Sequence, residues 1–202
     1  MRKPRERLEF EPLTKSRWTD FEKLFGPRGA CAGCWCMYWR LTRSEFEEGQ
    51  GEGNRRAMKA IVESGRIPGI LAYADGEPVG WCSVAPRTLF GSLERSPVLK
   101  RLDDKPVWSI VCLFVARSRR GKGMAEDLIR AAVEYAGRRR AKVVEAYPTR
   151  PRGKKLIPLS TYMGVPAIFK RAGFVECARP SEAKVIMRHS IAECRKPIIE
   201  PL

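Results

Sequence analysis

The sequence predicts an α/β fold with a central mixed β-sheet flanked by helices. Strand-like and helix-like hydrophobic patterns alternate along its 202 residues, and no internal repeat is visible. The pair Asp75-Gly76 separates two short apolar runs, which is typical of a tight hairpin. Residues 107–115 are almost continuously apolar, as expected for a central strand that is buried on both faces.

The first half of the chain is predicted to hold two helices and three strands before the buried one. Alternating side chains predict a first strand over residues 8–13. Apolar residues at helical spacing predict helices over 16–25 and 54–65, the first of them closed by a Gly-Pro pair. The two hairpin strands are expected at 70–74 and 79–84.

The rest of the chain is predicted to alternate loop, helix and strand. Residues 86–106 show no clear period and are expected to form loop with a short helix. Residues 120–125 are expected to lead into an amphipathic helix that ends at about 137, with an inner face that runs from Met124 to Tyr135. The remaining predicted elements are a strand at 142–147, a helix at 165–172, and strands at 174–177 and 185–188.

One domain is expected over residues 8–190, with a basic extension at 1–7 and a tail at 191–202. No run of about 20 apolar residues occurs, so no membrane-spanning helix is expected. The first residues are charged and lack the apolar stretch of a signal peptide, so we expect a cytoplasmic location. Seven cysteines, an odd number without a secretory signal, favour reduced thiols over a disulfide framework.

The net charge of +16 is large for a chain of this length. Residues 117–155 alone hold 13 Lys and Arg against 4 Asp and Glu. Such a concentration attracts phosphates, whether of a nucleotide cofactor, a nucleic acid or an acidic surface. A solvated basic surface without a ligand is the alternative.

The segment 115–125 joins the buried strand to the amphipathic helix. Gly121 and Gly123 allow a tight turn there and a close approach to a ligand. N–H groups of the first helical turn, together with Arg120 and Lys122, would face an anion at this point. The segment therefore predicts a phosphate-binding loop, with an ordinary basic turn between strand and helix as the alternative.

Two common nucleotide-binding motifs do not fit this loop. Lys122 is followed by Gly123 instead of Ser or Thr, so the segment is not a Walker loop. It also lacks the third glycine of a dinucleotide fingerprint, and no ribose-binding acid follows a parallel strand.

Three features resemble the GNAT family of N-acetyltransferases. Residues 120–125 match its Arg/Gln-x-x-Gly-x-Gly/Ala signature through Arg120, Gly123 and Ala125. The hairpin with Pro-Val-Gly-Trp at 78–81 precedes the signature, and the helix that ends in Gly-Phe at 173–174 follows it. The resemblance implies the GNAT fold and an enzyme that transfers an acetyl group from acetyl-CoA to an amine by direct attack on the thioester.

The resemblance also implies where acetyl-CoA binds. Its pyrophosphate would lie on the loop N–H groups, and its pantetheine arm along the buried strand, where that strand and the one holding Val144 separate. A backbone N–H near the end of the buried strand would polarise the thioester carbonyl. The implied cofactor-binding residues are Leu113, Val115, Arg120, Gly121, Lys122, Gly123, Met124 and Ala125.

The residues that move protons are not fixed by the resemblance. The family often has a tyrosine acid at the position of Phe169. Tyr162 and Tyr147 are the candidate substitutes, and Glu145 is the candidate base, with packing aromatics and a solvent-facing charge as the respective alternatives. A proton path through water is also open. Cys112 lacks a histidine partner and is interpreted as a small buried residue, not as a nucleophile.

An insert rich in Cys and Trp, residues 31–39, lies between the first two predicted helices. Cys31 and Cys34 have the spacing of half a zinc site, but no second half follows. We therefore predict no metal, and expect reduced thiols and aromatics packed over the domain.

In the GNAT family this region lines the acceptor site, so the insert is expected to shape a substrate pocket. An aromatic wall suits an apolar or cationic acceptor, and a small-molecule amine is expected. The candidate substrate residues are Trp35, Tyr38, Trp39, Trp81 and Trp108. A homodimer is one expected assembly. The alternatives are a basic nucleic-acid-binding protein, although no aromatic-basic RNA-binding motif occurs, and a non-catalytic module stabilised by zinc.

Overall fold

A computed structural model describes residues 7–151 and 162–191 of the protein. The strands are β1 (Leu8–Pro12), β2 (Gly69–Ala74), β3 (Glu77–Pro86), β4 (Trp108–Val115), β5 (Val143–Ala146), β6 (Val175–Ala178) and β7 (Ile186–Ser190). The helices are α1 (Trp18–Phe25), α2 (Arg43–Glu48), α3 (Glu52–Glu63), α4 (Gly91–Glu94), α5 (Met124–Arg138) and α6 (Pro166–Arg171). This order confirms the predicted α/β class.

The strands form one sheet in the order β1-β2-β3-β4-β5-β7-β6. All neighbouring pairs are antiparallel except β4 and β5, which run parallel. That pairing ends at Ile110 opposite Ala146, whereas β4 continues to Val115. The two central strands therefore separate along the second half of β4, as the family resemblance implied, and leave a gap in the middle of the sheet.

A register shift on β3 places a bulge in β4 at the start of this gap. Ser83 pairs with Cys112 and Val84 pairs with Ile110, so Val111 has no partner on β3. A bulge of this kind turns the strand and changes the direction of the following side chains. Beyond it, Cys112 packs on the α1 and α3 face of the sheet, and Leu113 packs on the α5 face.

The predicted inner face of α5 is confirmed. Met124, Leu128, Ala132 and Tyr135 are all buried against β2, β3 and β4. On the opposite face, α1, α3 and the insert cover the sheet with an aromatic cluster that includes Trp18, Phe21, Phe25, Trp35 and Trp81. The sheet therefore has a core on each side, and the gap between β4 and β5 opens between them.

The hairpin follows from its turn residues. Asp75 and Gly76 have φ angles of 51° and 77°, and positive φ at both central positions is what a tight two-residue hairpin turn requires. Asparagine, aspartate and glycine tolerate these angles better than other residues. The predicted strands at this hairpin are confirmed, with β3 extended to Pro86.

One helix was missed, and one expectation needs correction. Helix α2 was not predicted, although Thr42 and Glu45 form the capping box that begins it and this pattern is visible in the sequence. In β4, residues 109–111 are buried as expected, but residues 112–115 are only half-buried because they border the gap. The prediction of a strand buried on both faces is therefore wrong for its second half.

Parts of the sequence-based organisation lie outside the described residues. These are nearly all of the basic extension, the end of the loop after β5, and nearly all of the tail. Within the described residues, no helix has the length and apolar character that crossing a membrane requires.

Candidate functional site

A cavity of about 920 Å³ opens where β4 and β5 separate. It is bordered by β4, by the start of α5, by the segment that leads into α6, and by the insert with α2. The described residues that line it are Phe25, Ala30, Cys31, Ala32, Cys34, Cys36, Tyr38, Phe46, Gln50, Cys112, Leu113, Phe114, Val115, Arg120, Ala125, Tyr162, Gly164 and Ile168.

The open edge of β4 presents main-chain groups to the gap. The Leu113 N–H donates to the Tyr162 carbonyl at 2.7 Å, and the Val115 carbonyl accepts from Arg120 Nε at 3.0 Å. The next N–H, that of Ala116, donates to Val79 on β3 instead. Because main-chain groups alternate along a strand, Leu113 and Val115 both face the gap. The Leu113 N–H is already bonded, so the Val115 N–H is the one left to face a ligand.

The loop from β4 to α5 has the features of an anion-binding turn. Gly121 and Gly123 have φ angles of 78° and 86°. Within the described residues, the N–H groups of Gly121, Lys122 and Gly123 have no acceptor, and α5 begins without a side-chain cap. The first turn of α5 therefore offers free N–H groups and the positive end of its dipole.

The predicted cofactor residues divide into three groups. Leu113, Val115, Arg120 and Ala125 line the cavity. Gly121, Lys122 and Gly123 form the exposed loop at its edge. The Met124 side chain is buried in the core next to Gly80, so only the main chain of Met124 can contact a ligand.

Glu145 lies apart from the cavity, although it was a candidate base. Its side chain is 1% exposed, so a solvent-facing charge, the alternative for this residue, is wrong. One carboxylate oxygen accepts from Arg87 at 2.9 Å and from the Tyr147 hydroxyl at 2.6 Å. The other accepts from Arg188 at 2.7 Å. Both oxygens are therefore held by partners inside the protein.

Tyr147 is fully buried in the same network. Its hydroxyl accepts from Arg87 at 2.7 Å and lies 2.8 Å from the Ser109 hydroxyl. Burial raises the pKa of Tyr147 well above its ordinary value. The network joins β4 and β5 to the segment before β4. Neither Glu145 nor Tyr147, the two proton-transfer candidates in this network, lines the cavity.

Tyr162 alone among the three proton-transfer candidates lines the cavity. Its ring lies 6.3 Å from the ring of Tyr38 on the opposite wall. Burial raises the pKa of Tyr162, so its hydroxyl remains protonated at neutral pH.

Phe169, at the position where the family often has tyrosine, is fully buried. Its ring packs edge-on against Phe174 at 5.2 Å. Gly164, which has a φ of 78°, lies so close that a Cβ there would meet the Phe169 ring at 2.7 Å. This position therefore contributes packing to the cavity wall and no hydroxyl group.

Only one of the five aromatic substrate candidates lines the cavity. Tyr38 does so and is 48% exposed. Trp35 and Trp81 are buried in the aromatic core, and Trp108 packs on Tyr135 on the other face of the sheet. Trp39 is half-buried and packs against Tyr38. The aromatic wall comes instead from Phe25 and Phe46, together with Tyr38 and Tyr162, because these side chains surround the gap after folding.

Four thiols line the cavity and were not predicted as site residues. They are Cys31, Cys34, Cys36 and Cys112. A hydrogen bond from the Cys112 thiol lowers the pKa of Cys36 to about 7, against the opposing effect of burial. Burial raises the pKa of Cys34 to about 11. The expectation that Cys112 is only a small packing residue is therefore incomplete. The sequence shows the Cys34-Trp35-Cys36 pattern, but not its proximity to β4.

Among residues 7–151 and 162–191, no group of three or more His, Cys, Asp and Glu side chains is arranged to hold a metal ion. The six cysteines of these residues are free thiols.

Comparisons with known proteins agree with the fold. Residues 35–159, more than half of the chain, match the model of the acetyltransferase (GNAT) family. No curated protein is significantly similar. The solved structures include the PaiA N-acetyltransferase from Thermoplasma acidophilum in complex with coenzyme A, at 12% identity, 92% coverage of this chain, 99% of that chain and a TM-score of 0.52.

Two further solved structures share the fold. One is the aminoglycoside N-acetyltransferase AAC(6')-Iy in complex with CoA, at 16% identity, covering 89% of this chain and 94% of that chain, with a TM-score of 0.52. The other is a ribosomal-protein-alanine N-acetyltransferase from Brucella melitensis, at 16% identity, covering 91% of this chain and 99% of that chain, with a TM-score of 0.51. At these identities the similarity establishes the fold and not the acceptor.

Proposed function

The chain belongs to the GNAT acetyltransferase family, and we propose that it is an acetyl-CoA-dependent N-acetyltransferase that acts on a small amine. The observation that supports this best is the gap between β4 and β5, with a cavity against the open β4 edge and the glycine loop. A thioester on a narrow arm needs such a gap to reach the middle of the sheet beside an incoming amine.

The residues present fit acetyl-CoA. The N–H groups of Gly121, Lys122 and Gly123, which lack acceptors among the described residues, suit the pyrophosphate, as does the positive charge of Arg120. The Val115 N–H and the Leu113 carbonyl face the gap and are the groups that we assign to the pantetheine amides. Acetyl-CoA supplies the activated carbonyl and a thiolate leaving group, while the protein supplies position and exclusion of water.

We test the cofactor site by thermal melting with acetyl-CoA. At about 100 times the Kd, we expect the melting temperature of the native chain to rise by about 5–10 °C. The Arg120→Glu, Gly123→Asp double variant should lose most of this rise, because it places negative charge where the pyrophosphate binds. Arg56→Glu changes an exposed arginine on α3 and should keep the full rise. Equal shifts in the double variant and the control would reject the site.

A small apolar amine is the acceptor that the cavity wall favours. Among the described lining residues, Arg120 is the only Arg, Lys, Asp or Glu, so no carboxylate lines the cavity. A polycationic acceptor would find no carboxylate there, whereas an apolar amine would pack on Tyr38 and Phe46. Release of CoA thiol should therefore be faster with a neutral aromatic amine than with an aminoglycoside or a peptide. A preference for either of the latter two would reject this part of the proposal.

A further inference from the structure

The wall of the cavity contains a buried sulfur atom that accepts a hydrogen bond. Cys36 lines the cavity and is 5% exposed, and its Sγ accepts from Trp81 Nε1 at 3.2 Å. The Cys112 thiol lowers the pKa of Cys36 further. Hydrogen bonds to a sulfur atom favour its thiolate form.

Arg40, a half-buried arginine four residues after Cys36, has no carboxylate partner among the described residues. Arg40 Nη2 donates to the Pro68 carbonyl at 2.9 Å and to Ser83 Oγ at 3.4 Å, whereas its Nε is buried without an acceptor. Among the described residues, Arg40 forms no ion pair with Asp or Glu. Burial lowers the pKa of Arg40 to about 10, and the negative charge of Cys36 opposes this effect. A negative charge on the Cys36 sulfur would therefore balance the charge of this guanidinium, which also stacks on the Phe90 ring at 4.4 Å.

The other titratable groups around Cys36 keep their protons. Burial raises the pKa of Cys34 on the insert and of Cys82 on β3, and the hydrogen bond to Cys36 raises that of Cys112 on β4. Arg40, with Arg66 behind it, supplies the positive charge. Among the four thiols Cys34, Cys36, Cys82 and Cys112, Cys36 is therefore the one that loses its proton first as pH rises.

We propose that the Cys36 thiolate accepts the proton of the attacking amine and returns it to the sulfur of CoA. The inference rests on the proposed N-acetyltransferase function and adds a proton carrier to it. The nitrogen–carbon bond forms, the carbon–sulfur bond breaks, and the nitrogen loses one proton to Cys36. Cys36 then passes this proton to the departing thiolate, so no further reactant is needed.

This role fills the place that the conventional candidates leave open. Glu145 and Tyr147 are held in their own network, and Phe169 has no hydroxyl. Tyr162 has a raised pKa, which makes it a weaker acid than an ordinary tyrosine. A thiol that titrates near pH 7 can take a proton from an amine and give it to a more basic thiolate. Cys112 directly precedes Leu113, so the cluster adjoins the β4 edge that we assign to pantetheine.

The first test measures the thiolate without any acceptor. Ultraviolet absorbance of the thiolate, titrated under reducing conditions, should show one step with a midpoint near 7. Cys36→Ser should remove the step, and Arg40→Met should move it to higher pH. Cys82→Ser, in the same core, and Cys177→Ser, on the surface, should keep it. The thiolate can also be assigned in the native chain, without a substitution. A short pulse of iodoacetamide alkylates the reactive thiolate, and peptide mapping then identifies which cysteine is labelled. A step that survives in Cys36→Ser, or labelling near neutral pH that does not reach Cys36, overturns the inference.

The second test measures the rate of thiol release from acetyl-CoA as a function of pH. The acceptor is water or whichever reacts fastest among the aromatic amine, the aminoglycoside and the peptide named above. Cys36→Ser should lower kcat by about 100-fold or more and flatten the rise of kcat through neutral pH. The KM for acetyl-CoA and the melting shift should stay unchanged, and Cys177→Ser should behave like the native chain. An unchanged pH profile in Cys36→Ser, or an acetylated Cys36 that is competent for transfer, overturns the inference. Failure of the proposed function gives a different result, because acetyl-CoA would then raise the melting temperature of neither the native chain nor Cys36→Ser.

Discussion

Gly121 and Gly123 act through backbone angles more than through space. A Cβ at Gly121 would meet no atom within 4 Å, but φ there is 78°. Space therefore allows a side chain at Gly121, whereas the N–H groups of the loop depend on a left-handed turn that other residues adopt at a cost. The proposed anion site thus depends on the main chain at Gly121 and on the charge of Arg120.

Replacement of Gly121 by alanine should therefore destabilise the loop by roughly 1–2 kcal/mol, because L-residues disfavour this φ. The melting shift with acetyl-CoA should shrink as the loop N–H groups turn away. Gly53→Ala is the matched control, since Gly53 lies in α3 with no positive φ and also has open space around it. That change should stabilise the protein by about 0.5–1 kcal/mol and leave the shift intact. Similar effects of the two changes would contradict the backbone explanation.

At the element scale, the buried ion network ties separate strands together around the gap. Glu145 on β5 binds Arg87, which follows β3, and Arg188 on β7, while Arg188 also binds Asp103 at 2.6 Å. Parallel pairing between β4 and β5 covers only three residue pairs. The network therefore holds β5 in place where main-chain bonds to β4 end.

Glu145→Gln should cost about 3–5 kcal/mol of unfolding free energy, because it leaves two arginines without their shared buried partner. Glu134→Gln, an exposed member of an α5 ion pair, should cost less than about 1 kcal/mol. Denaturant unfolding of both variants measures the difference. A Glu145→Gln protein of native stability that has lost thiol release would restore Glu145 as a candidate base.

At the scale of the whole molecule, buried thiols couple folding to pH. The pKa of Cys36 is about 7 in the folded protein, whereas an ordinary cysteine titrates near about 8.5. The unfolded chain therefore keeps the Cys36 proton up to a higher pH than the folded protein does. The contribution of Cys36 to the free energy of unfolding is complete above the pKa of the unfolded chain and is lost as pH falls through the pKa of the folded protein. Burial also lowers the pKa of Lys184 to about 8. This shift likewise makes the free energy of unfolding rise with pH, but over a higher pH range than for Cys36.

Unfolding free energy should therefore rise between about pH 6.5 and about pH 8. Cys36→Ser should show a smaller rise, because its hydroxyl does not titrate, and Cys177→Ser should follow the native chain. Denaturant unfolding under reducing conditions at both pH values provides the comparison. Equal slopes in the native chain and Cys36→Ser would show that Cys36 is protonated in the folded state.

The framework of this protein follows from local features of its sequence. Hydrophobic periods and the Asp75-Gly76 turn predicted the sheet and the inner face of α5, because these depend on neighbouring residues. Helix α2 was missed although Thr42 and Glu45 signal it, since the pattern is only a few residues long. The proposed acetyl-CoA site rests on the family signature and the glycine loop, which are local for the same reason.

The side chains that meet at the gap are brought together by the folded chain and are not predictable from local sequence. Glu145 and Tyr147 had the right chemistry for proton transfer, but folding places them in a buried network away from the cavity. Cys36 and Cys112 are 76 positions apart in the chain, and no local pattern shows that they meet. Their contact depends on how the insert folds over β4, and the charge on Cys36 depends on Trp81 and Arg40 beside it. A pKa is set by burial and partners, which are properties of the fold and not of the residue type.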